Sequence, residues 1–232
     1  MKLRSLAYAC TCLVAACGGK AAGPASPDTG APVRPTPAGG DAFPAPRDLA
    51  VFTPGATWTF EVHSTTSFMD EEDPAADASG VVTQEGDSRV TCHVAEVGTF
   101  DGGVLGHVAC DGDLAATGMI DPLTGWWAAN DVGLWRLEGD PPGDGAPELA
   151  PEEMILPARP VAGSTSRVLD EEMGFEEHVE INGDGKVWCQ ERSWSAGDGG
   201  WLSICFDAVG PASGVSGFSG GAESEVEFKR VP

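Results

Sequence analysis

Apolar and polar residues alternate from Ala56 to Val62, with Trp58, Phe60 and Val62 pointing one way and Thr57, Thr59, Glu61 and His63 the other. A period of two with β-branched residues on the polar side predicts a half-buried strand. Beyond the amino terminus no segment keeps an apolar stripe at helical spacing over three turns. The best candidate, Ala146 to Leu156, is broken by Pro147 and Pro151, which lack backbone donors and clash with the preceding turn. The pattern predicts an all-β chain with little helix. From Gly18 to Arg47 it disappears into Gly, Ala, Pro, Ser and Thr with scattered charges and no aromatic residue before Phe43. Such a stretch cannot bury enough apolar surface to offset the entropy of ordering it, and reads as a disordered tether spanning roughly 30 Å as a flexible coil.

A longer-range pattern is an internal repeat. Val82 to Cys92 aligns without gaps on Val179 to Cys189, sharing valine, Gly-Asp, a basic residue, valine and cysteine, and the same offset brings Asp101-Gly-Gly onto Asp198-Gly-Gly. Gly55 to Phe60 resembles Gly163 to Val168 at a larger offset, because the first copy carries an extra acidic loop around Asp70 to Gly80. Units of this length are too long for a solenoid and predict a duplicated antiparallel β-meander whose copies complete one sandwich or open barrel.

The amino terminus has a signal-peptide layout. Lys2 and Arg4 precede an apolar run from Leu6 to Val14 that is too short to span a bilayer. The sequence Leu13-Val14-Ala15-Ala16-Cys17 then resembles the lipobox of bacterial lipoproteins. The resemblance implies cleavage before Cys17, which becomes a diacylglyceryl thioether with an acylated amine. Gly18 follows where inner-membrane retention often uses aspartate, so the outer membrane is favoured over the inner. The expected organisation is a signal peptide over 1–16, a lipidated cysteine and tether over 17–47, and a β domain over 48–232 built of two repeats, about 50–140 and 155–231.

The order of Phe52 to Phe60, Gly133-Leu-Trp-Arg-Leu137, Leu156-Pro157 before Gly163, and Ala208-Val-Gly210 also resembles a broad class of uncharacterised lipoproteins from myxobacteria and related bacteria. These motifs are short and carry no assigned chemistry. Ser166 stands where that class usually shows tryptophan, and the disulfide pairs are not general to it.

Charge narrows the partners. The chain has 36 acidic against 13 basic residues, a net charge of −23, and removing Lys2 and Arg4 with the signal makes it more negative. That excludes a general affinity for nucleic acid and repels anionic head groups, so membrane attachment falls to the lipid at Cys17. Cations and basic partners remain open.

Of seven cysteines, Cys10 and Cys12 leave with the signal, Cys17 takes the lipid, and Cys92, Cys110, Cys189 and Cys205 remain as an even set that reads as two disulfides in an exported protein. Four cysteines allow three connectivities. The turn signals at Asp101-Gly-Gly and Gly197-Asp-Gly-Gly lie midway within each pair, so hairpins folded there favour Cys92 with Cys110 and Cys189 with Cys205 over pairings that join the copies. A zinc site from Cys92, His93, His107 and Cys110 is disfavoured, because on strands the cysteines would share one face and the histidines the other.

Glu180, Asn182, Asp184 and Glu191, with Gly185, match much of a calcium loop. Asn-Gly-Asp-Gly flanked by alternating residues is also what a tight hairpin turn requires, and the turn is the stronger reading. The acidic runs Asp70 to Asp73 and Asp170 to Glu172 read as solvated loops ahead of a weak divalent site. Gly217-Phe-Ser219-Gly-Gly221 fits a hydrolase elbow, but such an elbow needs a later histidine and none follows His178. No cofactor motif is present. The expectation is a lipid-anchored cell-envelope protein that is not an enzyme, a binding or structural module whose protein or small-ligand partner the sequence does not name. The rival is a carrier of an apolar or lipid ligand in an open barrel, with Trp126, Trp127 and Trp135 around it.

Overall fold

A computed structural model describes residues 43–70, 80–116, 119, 121–137, 139, 146–170, 174–196 and 198–232. Cys17 and the tether up to residue 42 lie outside them, as do the acidic runs at 71–73 and 171–172. Helix is confined among the described residues to three short 3-10 turns, Pro46–Asp48, Ala50–Phe52 and Pro151–Glu153.

Twelve strands, joined by turns and loops, make up the rest of the described residues. The first meander is β1 (Thr57–Met69), β2 (Val81–Phe100), β3 (Gly103–Cys110), β4 (Gly125–Asn130), β5 (Gly133–Leu137) and β6 (Met154–Pro157). The second is β7 (Gly163–Asp170), β8 (Phe175–Gly183), β9 (Trp188–Ala196), β10 (Asp198–Asp207), β11 (Gly210–Ser219) and β12 (Ala222–Arg230). They form one antiparallel sheet in the order β6-β5-β4-β3-β2-β1-β12-β11-β10-β9-β8-β7. Each meander is laid down by sequential hairpins, and β1 and β12 join them at the centre. The sheet does not close, since β6 and β7 are its two edges.

The sheet curls so that the inner faces of the two meanders meet. Trp58, Phe60 and Val62 of β1 are buried as the alternation predicts, and Phe60 meets Phe228 of β12 edge-on at 5.5 Å. Trp127 of β4 meets Phe206 of β10 edge-on at 5.6 Å across the interior, and both are fully buried. Leu49, Val51 and Phe52 fold in from the entry segment to join the same core. Where the curl brings the edge β6 over β9, side chains stand in for a strand ladder. Gln190 Nε2 donates to the carbonyl of Met154 at 2.7 Å, and Arg192 donates to that of Glu152 at 3.2 Å. These bonds occupy carbonyls at and beside the edge strand, the Met154 one half-buried and the Glu152 one exposed.

Both expected disulfides are present. Cys92 and Cys110 are directly opposed on β2 and β3, and Cys189 and Cys205 on β9 and β10. The residue-by-residue repeat does not carry over into structure. Val82 to Cys92 lies wholly within β2, whereas Val179 to Cys189 finishes β8, turns, and starts β9. The physical reason is Asn182-Gly-Asp-Gly185: Gly185 adopts φ +91° and reverses the chain, where the aligned residues of β2 stay extended. Residue 155, the expected start of the second copy, falls inside β6, which pairs with the first meander.

Candidate functional site

Tracing side chains across the sheet separates two outer surfaces. On β3 to β5 the outer face carries Leu105, Trp126 and Ala128, packed against Leu149. Trp126 stacks on His107 at 4.9 Å, and Trp135 Nε1 donates to the carbonyl of Ala150 at 2.9 Å, so the 146–150 segment straps this face down. The three tryptophans offered as a ligand cage are packing residues: Trp127 is fully buried and donates to the Leu123 carbonyl at 2.9 Å.

On the other half the outer face is open. A trough of about 1170 Å³ is lined entirely by β1, β2, β10, β11 and β12, including Glu61, His63, Asp87, Arg89, Ser203, Cys205, Ser213, Val215, Glu225, Glu227 and Lys229. The registers set these side chains in cross-strand rows. One row runs Asp87, His63, Glu227, Val215, Ser203, Glu191, Glu180 from β2 through to β8. The next runs Arg89, Glu61, Lys229, Ser213, Cys205, Cys189, Asn182. Small residues of β10 and β11 form the floor, and charged strands rise on each side.

Within the trough, Arg89 pairs with Glu61 at 3.1 Å, and His63 Nδ1 hydrogen-bonds Asp87 at 2.8 Å. The bond from Asp87 raises the His63 pKa above its ordinary 6.5, assisted by the carboxylates of Asp87, Glu85 and Glu227. Glu223 and Glu227 form no ion pair among the described residues. Further along β10, Trp201 lies over Gly217, where a Cβ would sit 2.0 Å from the ring, and its Nε1 donates to Glu225 at 3.1 Å. Only glycine at 217 admits the indole. Beyond Trp201 on the same face a hollow of about 290 Å³ includes Ser166, His178, Ser193 and Ser219.

The calcium candidates are placed as parts of a hairpin. Glu180 and Glu191 oppose each other across β8 and β9, and Asn182 donates to Glu191 at 2.9 Å. Asp184 accepts the backbone N–H groups of Lys186 and Val187 at 2.9 and 3.0 Å, bonds that hold its carboxyl below the usual range. Its oxygen caps the turn. No group of three or more His, Cys, Asp or Glu residues is arranged to hold a metal among the described residues. Cys92 faces the core and His93 the solvent, while His107 stacks on Trp126, so the Cys-His pairs do not converge. Ser219 ends β11 and the chain returns as a strand, without the helix an elbow requires.

Two constellations escape the sequence reading. Ser166 Oγ and His178 Nδ1 lie 2.9 Å apart as opposed residues of β7 and β8, on an exposed surface, and no carboxylate bonds the other ring nitrogen among the described residues. On the inner face, buried Glu177 binds Arg167 Nε at 2.5 Å and Arg192 at 3.3 Å. This triad borders a cavity of about 340 Å³ between the edge β6 and β7 to β9, walled by Met154, Pro157, Val179 and Ile181. Only the β7–β8 register, once known, would have revealed either. No protein-family model matches this chain, and no curated protein matches it.

Proposed function

We propose that this protein is a lipid-anchored cell-envelope binding module without catalytic activity, displayed by its tether from the outer membrane and using the trough of β10 to β12, β1 and β2 as its binding face. The observation that carries the reading is the contrast in one sheet. The outer face of β3 to β5 is apolar and strapped, whereas that of β10 to β12 is a wide, open, charged concavity with a small-residue floor. A concave face with a few convergent polar groups is the ordinary form of a binding site. Support for the anchor comes from the lipobox-like ending at Cys17.

Labelled palmitate is expected to enter the wild-type chain and not Cys17→Ser, with the variant released from the membrane fraction; equal labelling removes the anchor. The rival, an apolar-ligand carrier, draws on the cavity beside β6, lined by Met154, Val179 and Ile181. Native mass spectrometry separates the two readings, because a co-purifying lipid favours the carrier.

A further inference from the structure

We propose that the occupant of the trough is an extended, lysine- or arginine-rich polypeptide segment of about six residues lying along β10 and β11, an inference that rests on reading this trough as the binding face. The floor sets length and direction. Ser203 and Cys205 of β10 with Ser213 and Val215 of β11 floor the trough, and the same narrow-chained face runs on past Trp201 over Gly217 to Gly199 and Ser219 in the adjoining hollow. At about 3.4 Å per residue this face is roughly 20 Å long, the span of about six extended residues.

The walls set charge and spacing. Glu223, Glu225 and Glu227 occupy alternate positions of β12 on this face, and across the floor Glu191 stands about 14 Å and Glu180 about 19 Å from Glu227 by strand spacing. Alternate residues of a strand recur at about 6.8 Å, the same interval at which an extended ligand presents side chains to one side. A compact amine would meet one carboxylate, whereas an extended basic chain meets the ladder in register.

The cations native to this face are mostly engaged at its margin, Arg89 with Glu61 and His63 with Asp87, so Glu223 and Glu227 are left without an ion pair among the described residues. Lys229 stands at one end of the ladder, between Glu61 and Ser213. Like charges held at short range on a sheet disfavour the free state, and an incoming cation relieves that repulsion. Trp201, half-buried on Gly217 and held by Glu225, offers an aromatic surface beyond the trough on the same face, suited to a guanidinium or ammonium.

The test uses the full chain in detergent, with a hexalysine peptide as probe followed by calorimetry at low salt. Hexalysine is expected to bind with one-to-one stoichiometry and to weaken at least about tenfold in Glu225→Gln/Glu227→Gln. The Glu152→Gln/Glu153→Gln control, with the same charge change away from the trough, is expected to keep wild-type affinity, and far-UV circular dichroism checks that both variants fold. If a short diamine binds as tightly as hexalysine and is lost in the same trough variant, the trough is a binding face but the extended-chain inference is overturned. If a neutral hexasaccharide binds there and hexalysine does not, the ligand class is overturned. If hexalysine weakens equally in the control, attraction is to net charge alone, and the trough reading fails with the inference.

Discussion

The same sheet treats its outer face in two ways. In β4 and β5 both faces are covered, and the sequences Gly-Trp-Trp-Ala-Ala-Asn and Gly-Leu-Trp-Arg-Leu run nearly continuously apolar. In β12 one face is covered, and Ala-Glu-Ser-Glu-Val-Glu-Phe-Lys-Arg alternates, with Val226 and Phe228 buried while Glu227 and Lys229 are exposed. Continuous apolar runs mark strands buried twice, and alternation marks strands buried once. Apolar cover is thus doubled in the first meander, and the open outer surface lies where the two meanders join and beyond.

The comparison breaks most sharply at tryptophan. Trp127→Ala is expected to lose about 3–5 kcal/mol in urea unfolding, because a fully buried indole leaves a cavity. Trp201→Ala on the open face is expected to lose only about 1 kcal/mol, with its hydrogen bond to Glu225. Equal losses would show that the trough is core in disguise. The disulfides sharpen the same contrast. Their sequence separations of 18 and 16 give similar loop-closure contributions, about 3 kcal/mol each. Access differs, since Cys92 is fully buried and Cys205 lines the trough. Under limiting reductant, thiol trapping and peptide mapping are expected to find Cys189 and Cys205 labelled first.

A smaller effect is expected at the seam. Gln190→Ala removes the donor to the Met154 carbonyl and is expected to cost about 1–2 kcal/mol, with faster amide exchange in β6 and unchanged exchange in β4. The smallest concerns His63. Its raised pKa means the folded state favours the protonated ring, so the stability it adds is full below pH 6.5 and is lost as pH rises through the folded value. An NMR titration is expected to give a His63 midpoint above 6.5 that moves back toward it in Asp87→Asn. No change between the two would detach His63 from Asp87.

Local pattern reached the parts of the fold that depend on neighbours in sequence. Trp58, Phe60 and Val62 were legible by alternation, and the disulfides were legible because a turn signal lies midway within each pair. Trp126, Trp127 and Trp135 were harder. Burial on two faces gives the same apolar run as a ligand pocket would, and only the strap at Leu149 and Ala150 distinguishes them. The aligned repeat misled because two similar segments differ by one turn at Gly185. As a result Cys92 faces the core while Cys189 faces outward with Ser213 and Lys229. The trough itself required β12 to lie beside β1, a pairing between the ends of the domain that no local pattern encodes.

That central pairing has a kinetic consequence. Phe60 opposes Arg230 and His63 opposes Glu227, so the first strand to emerge waits for the last before its second ladder can form. Each meander can zip hairpin by hairpin, but the joint between them closes a loop of nearly the whole domain, the kind of contact that slows folding. A chain emerging amino end first would hold β1 with one edge bare until β12 arrives. Truncation within β12 would therefore strand both meanders as half-built sheets and would delete the trough's central wall in the same stroke.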